Sequence, residues 1–389
     1  MNICFLVTAN YLYQTSREKP SRRHVPKTAS ARRQKTYIRD EPLKDIELDL
    51  ESGCKDSTVP GAEKVTDNAL EWVKTVSRKG LRPILKEFAT VRKFIPPNMS
   101  TDVFNQNPSK NRYTDVMCLD KTRVILKDRT KSNDYIHASW VQLPSNRKYI
   151  CTQGPLDETI EDFWWMIFKE EVQAIVMLCD FIEDGEQKCA EYYPLTTGEK
   201  VQYGEITVKK LKEEEAIQMI TCQMMSVKYD YRKIKIYKFK IGRGETHHVN
   251  HYRWSSWPDR SAPSSSAPLI SLILKIKALH DRGPVVIHCS AGIGRTGTLC
   301  AVDYAMDKFS EEATLSPADV VKAIRHQRLH SVQSVLQYLY MHICLVDYVI
   351  FSKSLPKDMP SRKFRRDYEK YLKKFTERLA KEKQTVGNT

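Results

Sequence analysis

Apolar positions change their period along the chain. From Asp67-Asn68, a pair that favours a helix start, they recur at helical spacing as Leu70, Val73 and Val76, then as Leu81, Ile84, Leu85 and Phe88. Gly80 between the two sets predicts a break into two helices. From about residue 113 to 255 the pattern shortens to strands, predicted at 123–126, 135–141, 149–152, 174–179, 206–211, 217–225, 233–239 and 246–252, with one helix at about 157–170. Helical spacing returns at about 266–281, 296–309, 317–327 and 334–352. Between the first two lies an apolar run, Pro284-Val285-Val286-Ile287-His288, which reads as a buried strand. This order predicts an α/β domain with a mixed, twisted β-sheet flanked by α-helices.

The flanks differ from this middle. Residues 1–64 lack apolar periodicity and are rich in Arg, Lys, Ser, Thr and Pro, so they are expected to be a basic, mostly disordered extension. The domain is expected over 65–352, followed by a basic tail over 353–389. In that tail Phe364, Tyr368, Tyr371, Leu372 and Phe375 fall near helical spacing between Lys and Arg. A basic helix docked on a membrane or partner, a helix packed on the domain and a solvated tail all fit that pattern.

Charge sharpens the division. The chain of 389 residues has a formal net charge of +15. Residues 1–40 hold nine Lys/Arg against two Asp/Glu, and residues 351–389 hold twelve against five, so the two tails carry +14 of it. Such tails suit an acidic partner or an anionic membrane surface, and no specific nucleic acid is expected. The ten Cys include no CxxC pair, which argues against structural zinc and for small buried thiols in a reducing compartment. No apolar run approaches the roughly 20 residues of a membrane span. Met1 to Val7 is apolar but lacks a basic lead, so a signal peptide is not expected. The protein is expected to be soluble and cytoplasmic, with peripheral membrane association open.

The chemistry concentrates after the apolar run 284–288. Cys289 begins a segment holding Gly292 and Gly294 and ending at Arg295, and a helix is predicted from about Thr296. Strand, glycine-containing loop and helix N-terminus together make a cradle for an oxyanion, with amides pointing inward and the helix dipole adding positive potential. The same amides stabilise a thiolate. Arg295 offers a planar fork for two phosphate oxygens. A thiolate in that cradle can attack phosphorus in line and form a phosphocysteine, which is covalent catalysis.

The ten residues His288-Cys289-Ser290-Ala291-Gly292-Ile293-Gly294-Arg295-Thr296-Gly297 resemble the signature of the protein tyrosine phosphatase superfamily, in its tyrosine-specific, classical non-receptor branch. The resemblance covers about residues 65–352 and implies a single phosphatase domain without cofactor or metal. It implies Cys289 as nucleophile, with phosphate held by Arg295 and by the loop of Ser290, Ala291, Gly292, Ile293 and Gly294. Thr296 then stabilises the thiolate as leaving group, and His288 tunes the cysteine. Trp257-Pro258-Asp259 resembles the mobile acid loop, with Asp259 as general acid and later base. Here Arg260 stands where an aromatic residue is common, and a Ser-rich stretch follows at 261–266.

Further matches extend the resemblance. Lys110-Asn111-Arg112-Tyr113 resembles the phosphotyrosine-recognition loop, in which Tyr113 walls a deep cleft and Asp115 holds the substrate backbone. Gln333 and Gln337 match the glutamines that position the hydrolytic water, and Glu183 and Lys188 match a loop beside the site. His137 stands where Asn is usual, and Cys118 where Pro is usual. The activity implied is hydrolysis of phosphotyrosine in proteins. The alternative is a catalytically weak or inactive phosphotyrosine-binding scaffold, whose members typically lose the cysteine, the arginine or the acid. All three are kept here.

Overall fold

The computed structural model describes residues 65–217, 219–229, 246–279, 283–310, 314–353 and 359–387. The extension 1–64 and the strand expected at 233–239 lie outside the described residues. Two helices open the domain, α1 (Asp67–Lys79) and α2 (Leu81–Arg92). They meet at Gly80, where the break was expected, and its φ of 71° is one that glycine adopts without strain. A short α3 (Asp102–Gln106) leads to the segment that carries Tyr113.

Among the described residues nine strands form one mixed sheet. In chain order they include β1 (Arg123–Ile125), β2 (Tyr135–Gln142), β3 (Lys148–Thr152) and β4 (Ala174–Met177). A separate two-stranded hairpin pairs β5 (Ile182–Glu183) with β6 (Glu186–Gln187). The large sheet continues with β7 (Lys200–Tyr203), β8 (Ile206–Ile217), β9 (Ile220–Tyr229), β10 (Thr246–Arg253) and β11 (Val285–His288). Its order is β1-β2-β3-β11-β4-β10-β9-β8-β7. β3, β11, β4 and β10 run parallel in the centre, and the flanks are antiparallel.

Central placement explains the composition of β11. It pairs with β3 on one side and β4 on the other, and all four of its residues are buried. A strand buried on both faces cannot alternate, so it reads as a continuous apolar run. Helices α4 (Ile160–Lys169), α5 (Ala267–Lys277), α6 (Arg295–Ser310), α7 (Pro317–Arg325) and α8 (Val335–Ser352) complete the layers. α6 packs on β3 and β11, and α8 packs on α6.

Three departures from the sequence reading have physical causes. The strands expected at 206–211 and 217–225 are the arms of one long hairpin, β8 and β9, that turns at Met219 with φ 70°. Lys212-Glu213-Glu214-Glu215 hid its length, because a charged run shows no alternation although it pairs with Thr221 to Met224. β7 was not anticipated, since it is a sheet edge with one neighbour and little apolar demand. α8 is long and apolar enough to cross a membrane by length and composition, contrary to the expectation that no run approaches this. Most of it is buried within the domain.

The basic C-terminal stretch forms α9 (Met359–Gly387). Of the alternatives left open by its spacing, the helix packed on the domain is the one realised. Phe364, Tyr368, Tyr371 and Phe375 are buried in the main hydrophobic core, and α9 touches α1, α2 and α8. The eight described cysteines are all buried and unpaired in disulfides.

Candidate active site

β11 ends at His288 and delivers Cys289 into a tight loop that closes on the first turn of α6. The loop has its shape because its carbonyls are held from outside. Ser290 O accepts from Gly154 N–H at 2.9 Å, Ile293 O from Val332 N–H at 3.0 Å, and Gly294 O from Thr298 N–H at 2.9 Å. Arg328 holds the remaining two, with Nη2 donating to Ala291 O and Nε to Gly292 O, each at 3.1 Å. Five consecutive carbonyls are thus turned away from the cradle. Gly292 N–H donates to Cys289 Sγ at 3.3 Å. Gly292 has φ 69°, and a Cβ there would sit 2.0 Å from Thr152 O, so only glycine fits.

Arg295 is fully buried at the loop's end. Its Nη1 donates to Glu183 Oε1 at 2.6 Å and to Trp257 O at 2.9 Å, and its Nη2 donates to Glu183 Oε2 at 2.9 Å. Burial opposes its charge, but the Glu183 hydrogen bonds and the nearby acids outweigh this and hold its pKa well above the ordinary arginine value. Nε has no hydrogen-bond partner among the described residues. Thr296 Oγ1 and Gln337 Nε2 are likewise buried and unsatisfied. Three unsatisfied polar groups around one cradle fit a polar ligand, because such groups are rarely left unpaired.

The acid loop lies against this arginine. Asp259 Oδ1 is 3.4 Å from Arg295 Nη2, and Oδ2 is 3.8 Å from Lys188 Nζ. Lys188 also pairs with Glu186 at 3.3 Å. Arg260 has φ 56°, and its N–H donates to Asp259 Oδ1 at 3.0 Å. The loop between Glu183 and Lys188 is therefore a hairpin facing the site.

The other expected residues gather nearby. Tyr113 OH lies 2.8 Å from Ser290 Oγ, and its ring packs with Val116, Ala291 and Ile293. Burial pushes its phenol up to about 12. Gln337 Oε1 accepts from the N–H groups of Gln333 and Ser334 at 3.0 and 3.2 Å. Both glutamines border Gly294, where a Cβ would fall 2.8 Å from Gln337 Nε2 and 3.1 Å from Gln333 Oε1. Asp115 is half-buried two residues beyond Tyr113. Its charge reaches His330, whose imidazole is pushed down to about 4 by burial and by Arg325.

His288 reaches the backbone of Cys289 and a buried tyrosine beneath the loop. Its Nδ1 lies 3.3 Å from the carbonyl of Cys289 rather than reaching the sulfur, and its Nε2 lies 2.8 Å from Tyr192 OH. Tyr192 OH in turn lies 2.6 Å from His251 Nε2. Burial pushes His288 down to about 3, so this string of buried groups is neutral. Tyr192 and Arg328 were missed in the sequence. Their roles come from side chains folding back under the loop, and no local pattern around either residue marks them. Among the described residues no three His, Cys, Asp or Glu side chains cluster as a metal site.

The fold agrees with known proteins. Residues 107–347 match the family described as Protein-tyrosine phosphatase. The chain is 33% identical over 310 residues to tyrosine-protein phosphatase non-receptor type 9 of Rattus norvegicus, covering 75% of this chain and 50% of that protein. It is 32% identical over 277 residues to the Rattus norvegicus non-receptor type 20 enzyme, covering 70% and 62%. A solved chain from "Structural basis of PTPN18 fingerprint on distinct HER2 tyrosine phosphorylation sites" superposes with a TM-score of 0.62 at 28% identity, covering 72% of this chain and 99% of that one. The chain belongs to the protein-tyrosine phosphatase family. It spans about half the length of the type 9 protein.

Proposed function

We propose that the protein hydrolyses phosphotyrosine in proteins through a phosphocysteine on Cys289. The observation that carries this reading is the loop whose five carbonyls face outward, with Cys289 Sγ on the inside and Arg295 Nε unsatisfied beside it. Such a loop presents its N–H groups to an oxyanion, and charge building on phosphorus is met by donors already in place. In the first step Sγ attacks phosphorus and the bond to the aryl oxygen breaks, while Asp259 gives its proton to that oxygen. In the second, Asp259 takes a proton from water, the water oxygen attacks phosphorus, and the bond to sulfur breaks. Thr296 eases that departure by donating to the returning thiolate. Gln333 and Gln337 place the water, and Lys188 steers the Asp259 carboxylate. Tyr113 and Asp115 supply the depth and the peptide contact that favour phosphotyrosine, and His288 fixes the Cys289 backbone.

The inactive-scaffold reading is not favoured, because Cys289, Arg295 and Asp259 are all present and lie in one site. Mixing enzyme with excess aryl phosphate is expected to release a burst of phenol equal to the enzyme, with the phosphoryl group trapped on Cys289 in acid-quenched peptides. Cys289→Ser removes both signals and keeps phosphopeptide binding. Binding without any burst from the unmodified protein refutes the reading. We place the protein in the cytoplasm, where the outward basic residues of α9 meet anionic surfaces by charge alone, since its apolar face is already covered.

A further inference from the structure

We propose that the C-terminal helix α9 is a positioning element for the acid loop, acting through Tyr368 and Arg365. This rests on the reading of Asp259 as the general acid. α9 begins after the residues that match the family, which end at 347, yet it reaches the segment just beyond Asp259. Tyr368 is fully buried, and its hydroxyl donates to the carbonyl of Pro263 at 2.6 Å. Its ring stacks on Tyr340 of α8, with centroids 6.4 Å apart and planes at 26°. Tyr340 donates to Ser265 O at 2.8 Å and meets the ring of Trp257 edge-on at 5.4 Å. Trp257 is the residue whose carbonyl accepts from Arg295 and whose Nε1–H donates to Ser261 O at 3.0 Å.

A second tie runs beside the first. Arg365 of α9 pairs with Asp347 of α8, and Ser266 Oγ donates to the same carboxylate. Ser266 precedes α5 and ends the Ser-rich stretch. The loop from Trp257 to Ser266 is therefore held at its start by Arg295 and Tyr340, and at its end by Tyr340, Tyr368 and the Arg365–Asp347 pair. An internal hydrogen bond made only when α9 is docked biases the loop toward the position in which Asp259 lies beside Arg295. A helix that merely stabilised the domain would need the buried rings but not these polar ties to one loop.

The test uses the full chain and the first-turnover release of phenol from two aryl phosphates. One has a leaving group that departs readily without a proton, a dinitrophenol. The other has one that needs the acid, an unsubstituted phenol. Tyr368→Phe keeps the ring and removes the hydroxyl; Arg365→Gln breaks the second tie independently. Each is expected to slow phenyl phosphate by about threefold to tenfold, the worth of one buried hydrogen bond, and to leave the dinitrophenyl compound nearly unchanged. Asp259→Asn is expected to show the same selectivity with a larger loss. Equal slowing of both substrates, or a lower melting temperature with unchanged rates, in both α9 variants makes α9 a strut and overturns the proposal. If Asp259→Asn itself slows both substrates alike, the acid assignment fails, and the role of α9 falls with it.

Discussion

Glu183 grips Arg295 with both carboxylate oxygens, at 2.6 and 2.9 Å, across the gap between the β5–β6 hairpin and α6. The guanidinium is thus oriented before any phosphate arrives, and its Nε is the donor left over. Arg295 is fully buried, so the carboxylate also supplies the countercharge that burial demands.

Glu183→Ala is accordingly expected to lower kcat/KM on a phosphotyrosine peptide by about 10- to 100-fold, the range for losing a hydrogen bond to a charged group. Glu183→Gln keeps one acceptor and should fall between the variant and the unmodified protein. Steady-state kinetics with both variants checks this. Equal activity in all three would mean that Trp257 O and Asp259 suffice to orient the arginine.

Arg328 shapes the cradle from behind, spending its fork on Ala291 O and Gly292 O and its Nη1 on Ser139 Oγ at 3.2 Å. Lysine is a point donor and cannot span two carbonyls. Arg328→Lys is expected to weaken binding of vanadate, an oxyanion that probes the loop amides, by about tenfold or more, the equivalent of roughly 1.4 kcal/mol. Isothermal titration is the direct measurement. Unchanged vanadate affinity would show that the loop holds its shape without the second carbonyl clamp.

What could be read ahead of the structure follows from how local each signal is. The cradle was legible because its chemistry occupies ten contiguous residues and its strand and helix flank it directly. Tyr113, Asp259 and Gln337 come from distant segments and were reachable through motif resemblance, not through spacing. Arg328 and Tyr192 were not reachable, because a buried polar role depends on which carbonyl or ring lies opposite after folding. α9 shows the same limit on a larger scale. The spacing of Phe364, Tyr368, Tyr371 and Phe375 marks an apolar face but carries no information about what covers it. The β8–β9 hairpin was underestimated because its charged positions obey sheet pairing rather than burial.

Since the domain covers the apolar face of α9, contact with a membrane would rest on exposed charges such as Arg362, Lys363 and Lys373. Reversing these three to Glu is expected to abolish sedimentation with phosphatidylserine vesicles, and the unmodified protein should be released as salt rises toward 0.5 M. Binding that survives both changes would point to insertion of apolar residues instead.

His137 gives the protein a specific acid sensitivity. It stands where the family resemblance anticipated Asn. Its Nε2 lies 2.7 Å from Val116 O, a contact that needs a proton on Nε2, and its Nδ1 lies 3.1 Å from Arg328 Nη2, a contact that needs a bare nitrogen. Phe104 closes the pocket edge-on. Burial and then the Arg328 charge push the imidazole down to about 3. Between pH 6.5 and 3 the unfolded chain binds a proton at this position and the folded chain does not, so stability is lost as pH falls below 6.5. At pH 5 this one residue costs about 2 kcal/mol relative to neutral pH. His137→Asn keeps a donor for Val116 and an acceptor for Arg328 but cannot titrate. Urea unfolding at pH 7 and pH 5 should therefore show a stability difference about 2 kcal/mol smaller in the variant, whatever its absolute stability. His251, His288 and His342, also buried and pushed down, retain their share of the slope in both proteins. The same pH slope with and without His137 would mean that the imidazole protonates inside the fold, and that Arg328 does not hold it neutral.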